Sequence, residues 1–283
     1  DAEYDILKEH LAERDSTNPA VTAVGTSVKK NKVDLPYEMP SMDKIKPDTG
    51  ALEKWKATYT GPYVVSGKAD GVSGLYSTEG GEKKLYTRGN GKQGGDISHI
   101  IPFLKLPDTP NMTIRGEFMV PKEVFKLKYS EEYANPRNFI AGVINREKNI
   151  DPKIYKDIHF VAYEVVVPEL KPSDQMKYLE DIGAEVILYE NKQDVTNEVL
   201  SEILVDWRNA YKYEIDGVIV VDDKIYPRQS GNPEHAFAFK MVLSEQVAEA
   251  KVVDVLWAPS CHGFLKPRIQ IEPVILGGTT ITY

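Results

Sequence analysis

The stretch that decides the fold is Val64-Val65-Ser66-Gly67-Lys68-Ala69-Asp70-Gly71-Val72-Ser73-Gly74, in which a β-branched apolar run ends on one lysine. Because side chains alternate along a strand, Lys68 and Asp70 share a face if the strand continues through them. Gly71 then allows the backbone to turn or to approach a ligand closely. A lysine beside an acid at the end of a buried strand is a candidate covalent nucleophile. The alternative, which the stretch alone favours, is an exposed lysine at a strand-to-turn junction.

Composition predicts a soluble globular chain with enough residues for one large domain or two modest ones. The 283 residues are 41% hydrophobic and 28% charged, with a net charge of −8 and a pI near 5.3. No apolar run has the length of a membrane span, so no membrane association is expected. The single cysteine, Cys261, excludes an internal disulfide and favours an intracellular, reducing setting. The acidic balance argues against a generally adhesive nucleic-acid binder, although a local basic face would suffice.

Helical and strand patterns mix without βαβ regularity, which predicts an α+β fold of mainly antiparallel sheet. The proline-rich stretch from Pro36 to Pro47 is expected to lie as an extended loop. After about Gln246 the composition turns to short strands, which is typical of the start of a small β-barrel. The predicted strands are Tyr63–Lys68, Ser73–Ser77, Lys84–Arg88, Thr113–Phe118, Ile158–Val167, Asp216–Val221 and His235–Val242. The predicted helices are Ala2–Arg14, Lys122–Leu127, one from Ser173 or Asp174 to Gly183, and one that starts at Thr196.

Three further patterns present charged side chains, and each has a plainer alternative. Glu117 ends an apolar strand, where it could accept hydrogen bonds from ribose hydroxyls or lie at a rim. The turn predicted at Asn135–Asn138 presents Arg137, whose fork of donors suits phosphate, although a surface ion pair is the simpler interpretation. Lys240 ends another apolar strand, and a buried lysine there needs an anion such as a nucleotide phosphate.

Three common kinds of site are excluded. The run Gly89–Gly94 has the spacing of a dinucleotide-binding glycine motif but not its strand-to-helix context, so it more simply forms a loop that places Arg88 near an anion. The five histidines show no metal-ligand spacing, so no protein-held metal site is expected. No serine lies in a nucleophile-elbow pattern.

Taken together, these motifs resemble those of the NAD-dependent DNA ligases, in the family's order and over nearly the whole chain. Lys68–Gly71 resembles the Lys-x-Asp-Gly nucleophile motif, and Pro40–Met42 resembles the loop that leads into the nucleotide pocket. The resemblance implies a nucleotidyltransferase (adenylation) domain of mainly antiparallel sheets with flanking helices, followed by the first strands of an OB-fold. The other matching segments are Asp1–Asp5, Thr87–Gly91, Arg115–Glu117, Asn135–Asn138, Tyr213–Val218, Ala238–Lys240 and 272–280.

The resemblance also implies a chemistry. Lys68, with Asp70, would attack the α-phosphate of NAD, release nicotinamide mononucleotide and hold AMP. The AMP would then pass to the 5′-phosphate of a DNA nick, which the adjacent 3′-hydroxyl seals, with Mg²⁺ or Mn²⁺ stabilising the developing charge. Nearby cations, with Lys240 and Arg88 as candidates, and partial desolvation are expected to lower the pKa of Lys68, because a protonated amine cannot attack.

The resemblance assigns binding roles as well. Glu117 is expected to hold the ribose, Tyr163 to stack on adenine, and the Asp1–Asp5 segment to contact the nicotinamide half. The implied nucleotide-binding residues are Asp1, Tyr4, Asp5, Ser41, Met42, Ser66, Gly71, Arg88, Glu117, Tyr163 and Lys240. The implied contacts to DNA phosphate are Arg137 and Arg146.

The resemblance divides the chain into three parts. Residues 1–29 correspond to the end of a nicotinamide-binding subdomain and a linker, 30–246 to the adenylation domain, and 247–283 to a truncated OB-fold. With most of the OB-fold and the nicotinamide-binding subdomain missing, weak self-adenylation and poor nick joining are expected. The implied partner is nicked double-stranded DNA, bound by a monomer in the cytoplasm or nucleoid, or in a host cell if the source is viral.

Three positions depart from the family pattern. Ser66 replaces an acid that contacts adenine, and Val221 replaces a strand-end lysine, for which Lys224 could substitute through a local bulge. Asn145 stands where an arginine is expected, with Arg146 one position later. These departures suggest a divergent branch of the family.

Two alternative interpretations stay open. An ATP-dependent ligase or RNA-capping relative shares Lys-x-Asp-Gly, although Asp1–Asp5 and Asn135–Asn138 favour NAD. A non-catalytic nucleic-acid-binding module with a degenerate nucleotidyltransferase fold is kept open by Ser66 and Val221. Adenylation with NAD but not ATP would exclude the first, and covalent transfer would exclude the second.

Overall fold

The computed structural model describes residues 11, 14–15, 32–47, 49–146, 151–241, 248–259, 265–276 and 279–283. Most of the predicted helix Ala2–Arg14 lies outside the described residues, as do the predicted site residues Asp1, Tyr4 and Asp5. Within the described ranges, every helix is too short or too polar to cross a membrane.

Two five-stranded sheets frame the described chain. The strands of the first, in spatial order, are β10 (Tyr189–Lys192), β3 (Tyr63–Ala69), β11 (Ile215–Asp222), β12 (Ala236–Phe239) and β2 (Asp43–Ile45). Those of the second are β5 (Lys84–Thr87), β4 (Val72–Ser77), β7 (Thr113–Met119), β8 (His159–Val167) and β9 (Glu185–Val186). Most neighbours pair antiparallel, while β2–β12 and β8–β9 pair parallel. The predicted α+β architecture with mainly antiparallel sheet is therefore confirmed.

Smaller elements complete the described chain. A further two-stranded sheet joins β1 (Lys32–Asp34) to β6 (Gln93–Gly95). The helices are α1 (Ala51–Lys56), α2 (Lys122–Lys128), α3 (Pro136–Ile144), α4 (Pro172–Asp181) and α5 (Asn197–Ala210). Short 3₁₀ turns occupy Glu79–Gly81, Ser98–Phe103 and Ile154–Asp157.

Helix α5 shows why the apolar stripe predicts a core helix. Thr196 is its N-cap, and the threonine hydroxyl accepts a hydrogen bond from the Val199 amide at 3.3 Å. Leu200, Leu204 and Trp207 are buried on one face, in the same apolar cluster as residues of β3, β11 and β12. The stripe thus anchors the first sheet, as the periodicity predicts.

Two sequence predictions about irregular segments are wrong. The stretch Pro36–Pro47 is not an extended loop throughout, because Asp43–Ile45 forms β2 and pairs with β12, far away in the sequence. Asn135–Asn138 is not a turn but the start of helix α3, with Asn135 as its N-cap and Pro136 in its first turn. Asn and Pro are favoured both in turns and at helix starts. The buried apolar residues that follow at helical spacing, including Phe139 and Val143, favour the helix here.

The carboxyl-terminal strands form two hairpins. Strand β13 (Val252–Pro259) pairs antiparallel with β14 (Leu265–Ile271), and β15 (Val274–Leu276) pairs with β16 (Thr279–Ile281). Trp257 is 61% exposed and Val253 58% exposed on β13, which leaves apolar surface for further strands to cover. That these hairpins open an OB-fold stays a prediction.

Candidate active site

A cleft of about 510 Å³ is lined by both five-stranded sheets and contains most of the predicted site. Strands β3 and β11 contribute side chains from one sheet, while β4, β7 and β8 contribute them from the other. The predicted residues that line it are Ser41, Met42, Ser66, Lys68, Arg88, Glu117, Arg137 and Tyr163. The topology therefore brings together residues from six separated segments of the sequence.

The predicted nucleophile shares a carboxylate with a second lysine. Lys68 Nζ lies 2.9 Å from Asp216 Oδ1, and Lys240 Nζ lies 2.8 Å from Asp216 Oδ2. The Lys68 side chain is 29% exposed, so it is partly desolvated but reachable from the cleft. Gly217 makes room for this arrangement, because a Cβ there would lie 2.6 Å from the Phe239 carbonyl oxygen. Lys240 therefore joins the site through Asp216 and not through the lining of the cleft.

The electrostatics of Lys68 contradict the expected activation. Burial lowers the pKa of the amine, but the carboxylates of Asp216, Glu117 and Asp70 outweigh it and raise the pKa above its ordinary value. The pKa of Asp216 is lowered in turn, since the two lysines overcome the effect of its burial. The prediction of a lowered Lys68 pKa is therefore wrong for the chain without substrate, because Asp216, 148 residues away, lies against the amine and favours its protonated form.

Asp70, two residues after the predicted nucleophile Lys68, forms an ion pair with Arg137. Arg137, in the first turn of α3, has Nη1 3.0 Å from Asp70 Oδ1, and its side chain is 46% exposed. The Asn135 side chain accepts from the Asn138 amide at 2.8 Å, which fixes the turn that carries the arginine. Gly71 is required for close approach of strands, because a Cβ there would lie 2.2 Å from the Phe118 carbonyl oxygen.

Glu117 and Tyr163 meet at one serine hydroxyl. Ser73 Oγ donates to Glu117 Oε2 at 2.7 Å and lies 2.8 Å from the Tyr163 hydroxyl. Glu117 is only 9% exposed, and burial raises the pKa of its carboxyl against the opposing effects of Ser73 and Lys68. Ser73 is absent from the sequence-based site because a serine in a strand carries no signal of its partners.

Three arginines hold one wall of the cleft in a regular pattern. They donate hydrogen bonds to three consecutive backbone carbonyls. Arg228 Nη2 donates to the Glu38 carbonyl at 3.0 Å, and Arg88 Nε donates to the Met39 carbonyl at 3.1 Å. Arg115 Nη2 donates to the Pro40 carbonyl at 3.2 Å. This wall leads directly into Ser41 and Met42, which line the cleft. Arg88 therefore contacts the protein backbone and remains a candidate contact for an anion in the cleft.

Glu164 ties two of these arginines together. Its carboxylate accepts from Arg115 Nη1 at 2.7 Å and also pairs with Arg228. Arg115 is almost wholly buried, with its side chain 6% exposed, and its Nε has no hydrogen-bond partner among the described residues. Burial opposes ionisation of Glu164, but the two guanidinium groups prevail and lower its pKa. Sequence reasoning misses this network, although alternation along β7 places Arg115 on the face of Glu117.

Of three further positions singled out in the sequence, Arg146 lies outside the cleft, while Val221 and Lys224 line it. Arg146 is exposed just after α3 and does not line the cleft. Val221 lines it without a bulge, since β11 pairs regularly with β3 from Gly217 to Asp222. Lys224 lines the cleft beyond the strand end, with Nζ 3.3 Å from Asp222 Oδ2, so the bulge suggested for it is absent.

No group of three or more metal-ligating side chains occurs within the described ranges. The carboxylates of Glu117 and Asp216 nevertheless lie beside three cationic side chains that suit phosphate, namely Lys68, Lys240 and Arg88. This donor set fits a Mg²⁺ or Mn²⁺ ion bound mainly through the phosphates of a substrate, since Mg²⁺ commonly binds in that way. It does not fit an ion caged by protein ligands alone.

Comparisons with known proteins identify the family of this chain. The family model for the NAD-dependent DNA ligase adenylation domain matches residues 41–242. A "DNA ligase" of Acanthamoeba polyphaga mimivirus is 37% identical over 291 residues, which is 100% of this chain and 45% of that protein. A "Putative DNA ligase 205R" of Invertebrate iridescent virus 6 is 35% identical over 298 residues, covering 100% of this chain and 46% of that protein.

The fold also has a solved counterpart. The structure described as "Pmar-Lig_Pre." superposes with a TM-score of 0.51 at 19% identity, covering 86% of this chain and 55% of that one. This likeness concerns the fold alone. The chain spans about half the length of the curated relatives it matches. On the match over residues 41–242, the chain belongs to the NAD-dependent DNA ligase adenylation domain family.

Proposed function

We propose that the chain catalyses the first step of DNA ligation, transfer of AMP from NAD to Lys68. The observation that supports this most directly is the Lys68–Asp216–Lys240 arrangement, with Nζ–Oδ distances of 2.9 and 2.8 Å beside a nucleotide-sized cleft. NAD is favoured over ATP because the family that matches residues 41–242 is NAD-dependent. The Asp1–Asp5 segment is proposed to contact the nicotinamide half.

In the proposed step, the neutral Lys68 amine forms a bond from Nζ to the α-phosphorus while the bond from that phosphorus to nicotinamide mononucleotide breaks. The ammonium group must first lose one proton to solvent, which Asp216 opposes in the chain without substrate. The nitrogen loses a second proton to solvent as the phosphoramide forms. Arg88 and Lys240 are proposed to neutralise phosphate oxygens as the negative charge develops. A bound Mg²⁺ or Mn²⁺ would supply further positive charge that favours the neutral amine and the phosphoryl transition state.

The other predicted residues receive roles within this proposal. Glu117 is proposed to accept a hydrogen bond from a ribose hydroxyl. Tyr163 is proposed to stack on adenine, with Ser66, Ser41 and Met42 around the base. Gly71 supports the site by allowing β4 and β7 to approach closely. Arg137 is proposed to exchange Asp70 for the 5′-phosphate of a nick, since a guanidinium binds either anion. Arg146 is proposed to contact DNA outside the cleft.

The later steps are proposed for the protein as a whole. AMP would pass from Lys68 to the 5′-phosphate of nicked double-stranded DNA, and the 3′-hydroxyl would then displace it. We propose residues 30–246 as the adenylation domain, 1–29 as the end of a nicotinamide-binding subdomain and linker, and 247–283 as the start of an OB-fold. The protein is proposed to act as a monomer inside the cell.

Incubation with radiolabelled NAD or ATP and Mg²⁺, followed by denaturing electrophoresis, tests the proposal. We expect a covalent label from NAD, none from ATP, and none with Lys68→Ala. Lys126→Ala removes an exposed lysine of α2 and serves as the matched control that keeps the label. Label from ATP alone would identify an ATP-dependent nucleotidyltransferase, and binding of AMP without any covalent label would identify a non-catalytic module.

A further inference from the structure

One hydroxyl joins the two residues proposed to hold the nucleoside. Ser73 of β4 stands directly opposite Glu117 of β7 in the sheet register. Its Oγ donates to Glu117 Oε2 at 2.7 Å and lies 2.8 Å from the hydroxyl of Tyr163 on β8. The serine therefore links three neighbouring strands at the floor of the cleft, which it also lines.

A bulge in β8 makes this contact possible. Arg115 pairs with Glu164 and Gly116 pairs with Ala162, so Tyr163 is the extra residue of the bulge and has no partner opposite it. A bulge re-aims the side chain of the residue it carries. Here the ring of Tyr163 lines the cleft and its hydroxyl ends beside Ser73.

The hydrogen bonds can have only one direction when Glu117 is ionised. A carboxylate only accepts, so the single hydroxyl proton of Ser73 is committed to Glu117 Oε2. Tyr163 must then donate its own proton to Ser73 Oγ. Within the described ranges no residue donates a hydrogen bond to the other oxygen, Glu117 Oε1, so this oxygen keeps its acceptor capacity for a ligand.

We propose that Ser73 is a positioning residue that fixes the Glu117 carboxylate and the Tyr163 ring in one mutual orientation for binding the nucleoside of the substrate. The identity of that nucleoside as adenosine rests on the proposed function. The Ser73 hydroxyl contacts Glu117 and Tyr163, whereas the proposed nucleophile Lys68 contacts Asp216, so Ser73 is placed to act on binding and not on the reacting amine. Its loss should therefore weaken binding and leave the chemical step intact.

The first experiment measures Lys68 labelling by NAD in variants of the full 283-residue chain. Ser73→Ala should raise the NAD concentration that gives half the maximal labelling rate about tenfold, because a buried carboxylate loses a hydrogen bond, while the maximal labelling rate constant stays within about twofold. Ser73→Thr, which retains the hydroxyl on a strand-favouring residue, should stay within about threefold of the parent's half-saturating NAD concentration. Ser201→Ala is the matched control, since it removes a hydroxyl that bonds the Asn197 carbonyl within helix α5.

The second experiment measures AMP binding by calorimetry with Lys68→Ala as the parent, so that it needs no covalent step. Ser73→Ala in that background should weaken AMP binding about tenfold, and the effect of Tyr163→Phe should be smaller once Ser73 is gone. Three outcomes would each overturn the inference: an unchanged half-saturating NAD concentration and AMP affinity in Ser73→Ala, a loss confined to the maximal labelling rate constant, or a Ser73→Thr variant as damaged as Ser73→Ala. Absence of labelling with intact, Ser73-dependent AMP binding would instead overturn only the proposed function.

Discussion

Glu164→Gln is expected to destabilise the chain by removing the one carboxylate shared by Arg115 and Arg228. The glutamine amide retains one acceptor oxygen, but its NH₂ group is a donor and would face a donor group of one of the two arginines. Breaking a buried ion pair costs about 3–5 kcal/mol, but the Glu164 side chain is 23% exposed and Arg228 can turn to solvent. We therefore expect the free energy of unfolding to fall by about 2–3 kcal/mol.

Urea unfolding followed by circular dichroism measures this loss against two controls. Arg228→Ala should cost no more than about 1 kcal/mol, because that arginine is 39% exposed and Glu164 keeps its buried partner. Glu202→Gln, at an exposed position of α5, should stay within about 0.5 kcal/mol of the parent. Equal losses in Glu164→Gln and Arg228→Ala would refute the view that uncompensated charge on Arg115 dominates.

The same variant has a defined pH signature. The pKa of Glu164 is lowered in the folded chain, so its stabilising effect is present above its ordinary value of 4.5 and is lost as the pH falls through the folded pKa. The stabilities of the parent and of Glu164→Gln should therefore converge at acid pH. A difference that persists unchanged at low pH would show that the loss comes from packing and not from charge.

Three further changes have distinct expected outcomes. Glu117→Gln should raise the free energy of unfolding by about 1 kcal/mol at neutral pH, since burial raises the pKa of Glu117 and its ionised form opposes folding. Urea titrations should show a larger gain in stability at pH 8 than at pH 5. A loss of stability at pH 8 would contradict this reasoning. Thr196→Ala should cost about 1 kcal/mol by removing the N-cap of α5, and Thr196→Ser should restore most of it in the same assay. Asp216→Asn should lower the pKa of Lys68, so peptide mapping after treatment with an amine-selective acylating reagent should find Lys68 modified at a lower pH than in the parent. An unchanged pH profile of modification would exclude Asp216 as the cause of the raised Lys68 pKa.

Elements with strong local patterns could be predicted from the sequence. The β-branched run before Lys68 predicts β3, and the apolar stripe after Thr196 predicts α5, because burial of one face or stripe dominates their energetics. Strand β2 could not be predicted in this way, since three residues form a strand only by pairing with β12 almost 200 positions later.

The candidate site, too, could be predicted only in part from local sequence patterns. Residues within short motifs, such as Lys68 and Arg88, could be identified from the sequence and do line the cleft. The contacts that set their properties could not. Asp216 lies within the matching segment Tyr213–Val218, but no local pattern shows that it pairs with Lys68, 148 positions earlier. The predicted direction of the Lys68 pKa shift is wrong for this reason. The prediction counts cations near the lysine and does not include a carboxylate that another strand brings into contact with it.

The carboxylate shared by Lys68 and Lys240 has a consequence for the chain at rest. A protonated amine has no lone pair with which to attack an electrophile, so the contact with Asp216 lowers the fraction of Lys68 in the reactive form while the cleft holds only solvent. The same contact is therefore expected to slow the reaction of Lys68 with adventitious carbonyls and acylating compounds. Reactivity would then appear only when the charges of an incoming substrate redistribute those of Asp216 and its two lysines.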